Sequence, residues 1–222
     1  MSAAAGNERA LGLWLAHLRR TPLLLFIILY TIVTGGPFQW VASMSIRTTP
    51  EIFDSPYGLP IPAHWDKFVQ AWTVSKYGTY FWNSVIVVGG AVLLLTIFGA
   101  MAAHCLARYQ FRGSRAARVA ILSGMILPPQ LLILSLFQIL LQFGLYNTLF
   151  GLIIAYVATQ LAMTVYILEG FFAQLPQDLF DAARMDGYSE FEIFWRITLP
   201  IGMPAVFTTI VLNFIILWNE FL

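Results

Sequence analysis

Long runs of apolar residues without a charged side chain dominate this sequence. A helix of about 20 mostly apolar residues crosses the hydrocarbon core of a bilayer, so runs of this length predict membrane spans. Five runs are present, and we expect an all-α integral membrane protein whose 222 residues form a single transmembrane domain with five transmembrane helices. The predicted spans are residues 23–44, 81–103, 119–141, 149–168 and 204–222, the last of them uncharged as far as Trp218.

Two longer polar segments separate these spans. Residues 47–80 contain four prolines and then apolar residues at helical spacing, which predicts turns followed by an amphipathic helix. That helix fits the membrane interface and a contact with a partner subunit equally well. Residues 169–203 form the second segment and hold six of the eleven acidic residues of the chain.

Local signals in residues 169–203 predict a helix, a glycine turn and a second helix. Pro176 suits the first turn of a helix, and Gly187 is placed to end that helix in a left-handed conformation. Ser189 and Glu192 have the spacing of a capping box for the second helix. We expect Pro200 to stop this second helix.

The side chains of the same segment favour contact with another protein. Ala182 and Ala183 allow close approach of a second backbone, while Phe191, Phe194 and Trp195 are large apolar residues for a loop. Insertion into a groove on a partner fits this pattern, and an amphipathic loop resting on lipid headgroups is the alternative. The acidic excess favours the partner, because interfacial helices usually carry Lys and Arg.

Charge and composition indicate a membrane location and an orientation. Charged residues make up 10% of the chain and hydrophobic residues 59%, with a mean hydropathy of +0.76. Because cytoplasmic loops retain basic residues, we assign the N-terminus and the side with nine of the twelve Lys and Arg to the cytoplasm. The net charge of +1 gives no reason to expect a nucleic-acid partner. The nine are Arg9, Arg19, Arg20, Arg108, Arg112, Arg115, Arg118, Arg184 and Arg196.

The sequence lacks the residue groups of common catalytic and metal sites. Cys105 is the only cysteine and the three histidines are far apart, so we expect neither an intrachain disulfide nor a metal site. A phosphate-binding loop needs Gly-Lys followed by Ser or Thr, and neither lysine has that context. We expect no catalytic residue and no cofactor bound by this chain. If ATP drives the protein, ATP and Mg²⁺ bind to another polypeptide.

The acidic segment also contains a motif of small and acidic residues, Asp181-Ala182-Ala183 followed by Asp186-Gly187. This motif resembles the Glu-Ala-Ala loop of bacterial ATP-binding-cassette importer permeases, with Asp181 where that family usually has Glu. Further segments, in the same order from about residue 40 to the end, are similar to the carbohydrate branch, the maltose-type second permease subunit. They are Asn83-Ser84, Leu106-Ala107-Arg108-Tyr109, Leu127-Pro128-Pro129, Gly144-Leu145 and Trp218-Asn219-Glu220-Phe221.

The resemblance implies partners and a role for the acidic segment. In this family the segment is a coupling loop held in a cleft of the ATPase subunit. The permease assembles with a homologous permease, an ATPase dimer and an external solute-binding protein in the bacterial cytoplasmic (inner) membrane, among membrane lipids, and carries a sugar or oligosaccharide. The residues that the resemblance assigns to ATPase coupling are Asp181, Ala182, Ala183, Asp186, Gly187, Phe194, Leu199 and Pro200.

Polar residues inside the predicted spans are few and have two interpretations. They line a polar passage for a hydroxyl-rich solute, or they form hydrogen bonds between helices. The alternative function, an ATP-independent secondary transporter or channel subunit, predicts paired ionisable groups at mid-membrane and an inverted repeat, and the sequence shows neither. The candidate residues of a substrate path are Gln130, Tyr156, Gln160, Asn213, Trp218 and Asn219.

The length of the chain differs from the family pattern. Such permeases normally have six spans and continue past the Trp-Asn-Glu-Phe segment through an external loop, a sixth span and a cytoplasmic tail. Because the sequence stops at Leu222, the resemblance predicts a truncated gene product or a fragment.

Overall fold

Helices are the regular elements of this protein. The computed structural model describes residues 2–126 and 128–220, together with their side chains except those of residues 2–20, 129 and 130. The all-α prediction is confirmed for this part of the chain, which contains no strand. The chain divides into two compact units, Met1–Gly78 and Thr79–Leu222.

The first unit contains one long helix and a folded polar segment. Its helices are α1 (Ser2–Met44), α2 (Thr49–Asp54) and α3 (Asp66–Thr73), the last of which confirms the predicted helix after the prolines. The large apolar side chains of α1 between Leu23 and Val41 are exposed, as expected for a surface that meets lipid or another protein. In the polar segment, the buried Arg47 donates from Nη1 to the carbonyl of Gly58 at 3.2 Å.

The second unit is built around three long helices, which other, shorter helices connect. A π-helical turn, Phe194–Thr198, lies within the last connection. In chain order the helices are α4 (Tyr77–Arg108), α5 (Ser114–Ser123), α6 (Pro129–Gln142), α7 (Leu149–Phe172), α8 (Gln177–Met185), α9 (Glu190–Ile193), α10 (Leu199–Ile201) and α11 (Met203–Trp218).

Three described helices are long and apolar enough to cross a membrane. They are Thr21–Met44, Tyr77–Arg108 and Leu149–Phe172, which coincide with the first, second and fourth predicted spans. Glu190–Ile201 and Met203–Trp218, bent by 75° at their junction, pass the same criterion as a pair and would add a fourth span. Within the described residues the structure therefore supports three or four spans, and five remains a prediction.

The predicted span 119–141 is not one helix. α5 ends at Ser123, and Pro128 has an extended backbone with ψ 133° before α6 begins at Pro129. A proline lacks the N–H of a helical hydrogen bond, and it disfavours helical backbone in the residue before it. Two adjacent prolines therefore interrupt a run that hydropathy alone presents as continuous.

Two predicted boundaries of the polar segment 169–203 also need correction. α7 continues to Phe172, so Glu169 lies in its last turn. The second helix of the segment does not stop at Pro200, because helical backbone continues to Ile201. Pro200 lies in the first turn of α10, where a proline is tolerated because its missing N–H removes no bond of that helix.

The core of the second unit lies where α4, α7 and α11 pack together. One cluster includes Ala100 and Leu106 of α4 with Leu168 of α7 and Val206 of α11. A second cluster joins residues 88–95 of α4 to Leu217 at the end of α11. Since the first half of α4 packs against the end of α11, these two helices run antiparallel.

Candidate functional site

The first helix of the acidic segment begins one residue after the predicted Pro176 and ends at the predicted Gly187. α8 begins directly after Pro176 and ends in a Schellman motif at Gly187, whose φ is +84°. In this motif Gly187 N–H donates to the Arg184 carbonyl at 3.1 Å, and Tyr188 N–H donates to the Ala183 carbonyl at 3.0 Å. We call residues 173–201 the two-helix loop.

The second helix of the loop begins at the predicted capping box. Ser189 Oγ accepts from the N–H of Glu192 at 3.3 Å, and the Glu192 carboxylate accepts from the N–H of Ser189 at 3.0 Å. These bonds satisfy donors that the first turn of a helix leaves without a backbone partner. The start of the second helix is therefore set by its own sequence.

One face of the two-helix loop is buried against the rest of the unit. Phe180, Ala183 and Ile193 form a small core inside the loop. Phe194 belongs to the core of the helix bundle, and Leu199 packs against that core. Ala183, Phe194 and Leu199 were predicted to couple to a partner. The structure places Ala183 in the core inside the loop, and Phe194 and Leu199 where they hold the loop to its own bundle.

The opposite face of α8 is exposed. Leu179, Ala182 and Met185 follow one another at three-residue spacing, and Asp186 ends the row; we call these four residues the outer face. Met185 is 89% exposed, an extreme value for a large apolar side chain. Of the predicted coupling residues, Asp181, Ala182, Asp186, Gly187 and Pro200 are exposed.

Ion pairs hold three of the five acidic side chains of the loop, Asp181, Glu190 and Glu192. Arg184 binds Asp181 at 3.1 Å and Glu190 at 2.9 Å, and the bond to Glu190 is the main reason why the pKa of Arg184 is raised. The ion pairs of the described side chains include neither Asp178 nor Asp186. The outer face therefore carries a carboxylate available to a cationic group of a partner.

The end of α4 holds the loop through two adjacent residues. Arg108 donates from Nη2 to the carbonyls of Phe172 and Leu175, the latter at 2.7 Å, and its guanidinium lies 4.0 Å from the centre of the Phe180 ring. Tyr109 donates its hydroxyl proton to the Glu190 carboxylate. Burial, and then this bond, raise the pKa of Tyr109, so the phenol stays protonated and can donate.

A third contact connects the same end of α4 to the π-helical turn. The buried His104 lies with Nδ1 3.1 Å from Thr198 Oγ1 and with Nε2 3.2 Å from the Tyr109 hydroxyl. His104 is 3% exposed, so the ring that makes both contacts is buried inside the protein.

The candidate substrate-path residues do not form one site. Tyr156 and Gln160 share one face of α7, one turn apart, and Thr164 continues that row. Asn213 of α11 donates from Nδ2 to Thr164 Oγ1 at 2.9 Å, so it forms the interhelical bond that the second interpretation describes.

Trp218 and Asn219 lie at the end of α11, and the remaining candidate, Gln130, has a side chain outside the described residues. Trp218 stacks on Phe214 with ring centres 5.4 Å apart, and the Asn219 side chain donates to the Ile215 carbonyl at 2.7 Å. The side chain of Gln130 lies outside the described residues, as do Leu127 and Phe221 of the quoted motifs. Among the described residues, no group of three His, Cys, Asp or Glu is placed to hold a metal ion.

The sequence did not reveal the attachment of the loop to α4. In the sequence, Arg108 is one of several basic residues next to a predicted span. The carbonyls that it binds, those of Phe172 and Leu175, lie 64 and 67 residues further along the chain. A contact over that separation depends on how α4 and α7 pack. The exposed Met185 was also missed, although the three-residue spacing from Ala182 on a helix places it on the same face.

Comparisons with known proteins match this chain to a family of transport proteins. A family described as binding-protein-dependent transport system inner membrane component matches residues 95–222. The chain is 40% identical over 196 residues to the diacetylchitobiose uptake system permease protein NgcG of Streptomyces coelicolor, covering 88% of this chain and 65% of that protein. This sequence thus spans about two thirds of that relative.

Two further relatives are similar over a comparable range. The probable ABC transporter permease protein YurM of Bacillus subtilis is 32% identical, covering 93% of this chain and 68% of YurM. The trehalose/maltose transport system permease protein MalG of Thermococcus litoralis is 30% identical, covering 92% of this chain and 74% of MalG. These similarities extend well beyond the two-helix loop into the long helices.

Proposed function

Because this chain belongs to the family of binding-protein-dependent transport system inner membrane components, we propose that it is a permease subunit of an ATP-binding-cassette importer for a sugar or oligosaccharide. In this proposal the two-helix loop lies in the cytoplasm and is held by an ATPase subunit. The names of NgcG and MalG, which refer to sugars, support the substrate class.

The observation that carries the proposal is the two-sided construction of the loop. Its inner face is fixed to the bundle by the buried Phe180 and Phe194. Its outer face presents the small side chain of Ala182, the exposed Met185 and the carboxylate of Asp186. A loop fixed on one side and uncovered on the other is suited to pass a displacement from a partner to the helices.

The energy source is assigned to partner subunits. ATP and Mg²⁺ bind there, and closure of an ATPase dimer moves the loop of this chain and that of a homologous permease. The helix bundles then change between inward-open and outward-open states, and an external solute-binding protein delivers the sugar. The N-terminus lies in the cytoplasm, and the chain crosses the bacterial inner membrane five times, with α5 and α6 forming an interrupted third span.

Polar side chains of α7 are proposed to contact the solute. Tyr156 and Gln160 lie one helical turn apart, and an aromatic ring beside an amide suits a sugar ring with its hydroxyl groups. Asn213 is proposed to hold Thr164 in this row through the bond between α11 and α7. Trp218 offers a further ring near the end of α11.

Purification of the tagged chain from membranes that contain its natural partners tests the proposal. We expect the wild-type preparation to hydrolyse Mg-ATP. Ala182→Arg should lower the ATPase activity that copurifies with the tagged chain by about tenfold or more. A long charged side chain on the outer face prevents close approach of the ATPase subunit. Ala173→Arg, at an exposed residue where α7 ends, is the matched control and should retain wild-type hydrolysis.

Two outcomes would contradict the proposal. In the first, the wild-type preparation does not hydrolyse ATP, and the purified chain alone in lipid vesicles transports sugar without ATP, as a secondary transporter does. In the second, the Ala182→Arg variant copurifies with the ATPase to the same extent as wild type.

A further inference from the structure

We propose that Arg108 and Tyr109 are positioning residues for coupling, which make α4 move with the two-helix loop as one rigid body. This inference rests on the proposed function, in which the loop receives the movement of an ATPase. It adds the path by which that movement reaches α4. The chain itself connects the loop only to α7 and α11, so α4 needs noncovalent contacts to follow.

Arg108 joins the ends of two long helices. Its Nη2 donates to the carbonyls of Phe172, the last residue of α7, and of Leu175. Carbonyls at a helix C-terminus lack partners within the helix and carry partial negative charge, so a guanidinium is a favourable partner for them. Through this one side chain the end of α4 is bound to the segment that leads into α8.

The same guanidinium also contacts the centre of the loop. It lies 4.0 Å from the centre of the Phe180 ring, and Phe180 is 1% exposed in the small core between α8 and α9. A planar guanidinium can cover an aromatic ring and donate in its own plane at the same time. A lysine ammonium carries donors but has no flat face, so Lys at this position would keep only part of the contact.

Tyr109 adds a separate contact to the second helix of the loop. Its hydroxyl donates to Glu190 at the start of α9, and the Glu190 carboxylate also accepts from Arg184 of α8 at 2.9 Å. The two neighbouring residues therefore bind different helices. The loop cannot turn relative to α4 about one of these contacts without breaking the other.

None of these groups lies on the outer face. Phe180 is buried on the inner side, and the outer face consists of Leu179, Ala182, Met185 and Asp186. Loss of Arg108 should therefore leave the partner bound while weakening the transmission of its movement. This separation of binding from transmission distinguishes the inference from the proposed function.

The experiment uses the complete purified transporter in lipid vesicles, with Cys105→Ser as background. Spin labels at Phe98→Cys, on α4, and Phe191→Cys, on α9 and outside the outer face, report one intramolecular distance; both original side chains are exposed. In the otherwise wild-type protein we expect the same distance, with the same width, without nucleotide and with a nonhydrolysable ATP analogue. Arg108→Met should broaden or shift the ATP-bound distribution.

Unlabelled complexes give the functional readout. Arg108→Met should retain the ATPase subunits, while the sugar transported per ATP hydrolysed falls by about tenfold. Arg108→Lys should recover part of this ratio. Arg112→Met, at an exposed arginine four residues later, is the control and should match wild type. Should Arg108→Met fail to assemble, Tyr109→Phe removes one hydrogen bond with the ring retained, and we expect a smaller fall in the same ratio.

The outcomes separate the two claims. A wild-type complex without ATP hydrolysis overturns the proposed function and this inference together. A coupled wild-type complex whose α4-to-loop distance changes with nucleotide overturns the rigid body alone. If Arg108→Met transports as much sugar per ATP hydrolysed as wild type, the positioning role is overturned. If Arg108→Met does not assemble, the same result in Tyr109→Phe overturns it.

Discussion

Gly187 shows how one residue sets the geometry of the two-helix loop. Its φ of +84° ends α8 and turns the chain toward the capping box at Ser189. A Cβ built at Gly187 would meet no atom within 4 Å other than those of its neighbours in the chain. The requirement for glycine is therefore conformational, because residues with a Cβ are strained at positive φ.

Substitution at Gly187 tests this requirement. Gly187→Val should lower the free energy of local opening at the end of α8 by about 1 to 2 kcal/mol, since a side chain with a Cβ is disfavoured in the left-handed region. Hydrogen exchange of the Tyr188 amide, which donates to Ala183, measures this opening. Gly187→Asn is the matched control with a smaller expected effect, because Asn tolerates this region. Equal exchange in both variants and wild type would contradict the account.

At the scale of helices, close packing joins the central part of α4 to α7. A Cβ at Gly99 would lie 2.6 Å from Cγ2 of Thr164. Thr164 has little freedom to move, because it is 1% exposed and its hydroxyl donates to the Gln160 carbonyl and accepts from Asn213. The small residue is thus required by the distance between the helices.

A pair of alanine substitutions in α4 measures this close approach. Gly99→Ala should destabilise the protein by about 1 to 3 kcal/mol through overpacking. Gly89→Ala, in the same helix with no atom within 4 Å of the added Cβ, should be neutral or stabilising by up to about 1 kcal/mol. Unfolding of the detergent-solubilised protein gives both values. If both substitutions destabilise the protein to the same extent, the effect of Gly99→Ala comes from helix propensity or lipid contact and not from packing against Thr164.

The helices also show which features the sequence could predict. Capping box, glycine turn and apolar spans depend on neighbouring residues, and Ser189, Gly187 and the spans within α1, α4 and α7 follow the prediction. The break between α5 and α6 was missed because hydropathy does not register a proline pair. The split of the loop into inner and outer faces was missed because it depends on the packing of α8 against distant helices.

At the scale of the whole molecule, the proposed function requires that the outer face lies in the cytoplasm and is covered by the ATPase subunit. Met185 is the best reporter, because it is 89% exposed and contributes nothing to the small core of the loop. Its replacement by cysteine should leave the fold intact, since exposed substitutions usually change stability by less than about 0.5 kcal/mol.

Photo-crosslinking from Met185→Cys in a Cys105→Ser background determines whether the ATPase subunit covers the outer face on the cytoplasmic side. We expect an impermeant maleimide to label this cysteine only after the membrane is opened. We also expect a benzophenone attached there to crosslink to the ATP-hydrolysing subunit, whereas one at Phe98→Cys, exposed on α4, should not. Labelling of Met185→Cys in intact cells, or a purified complex that hydrolyses ATP without this crosslink, would contradict this placement of the loop.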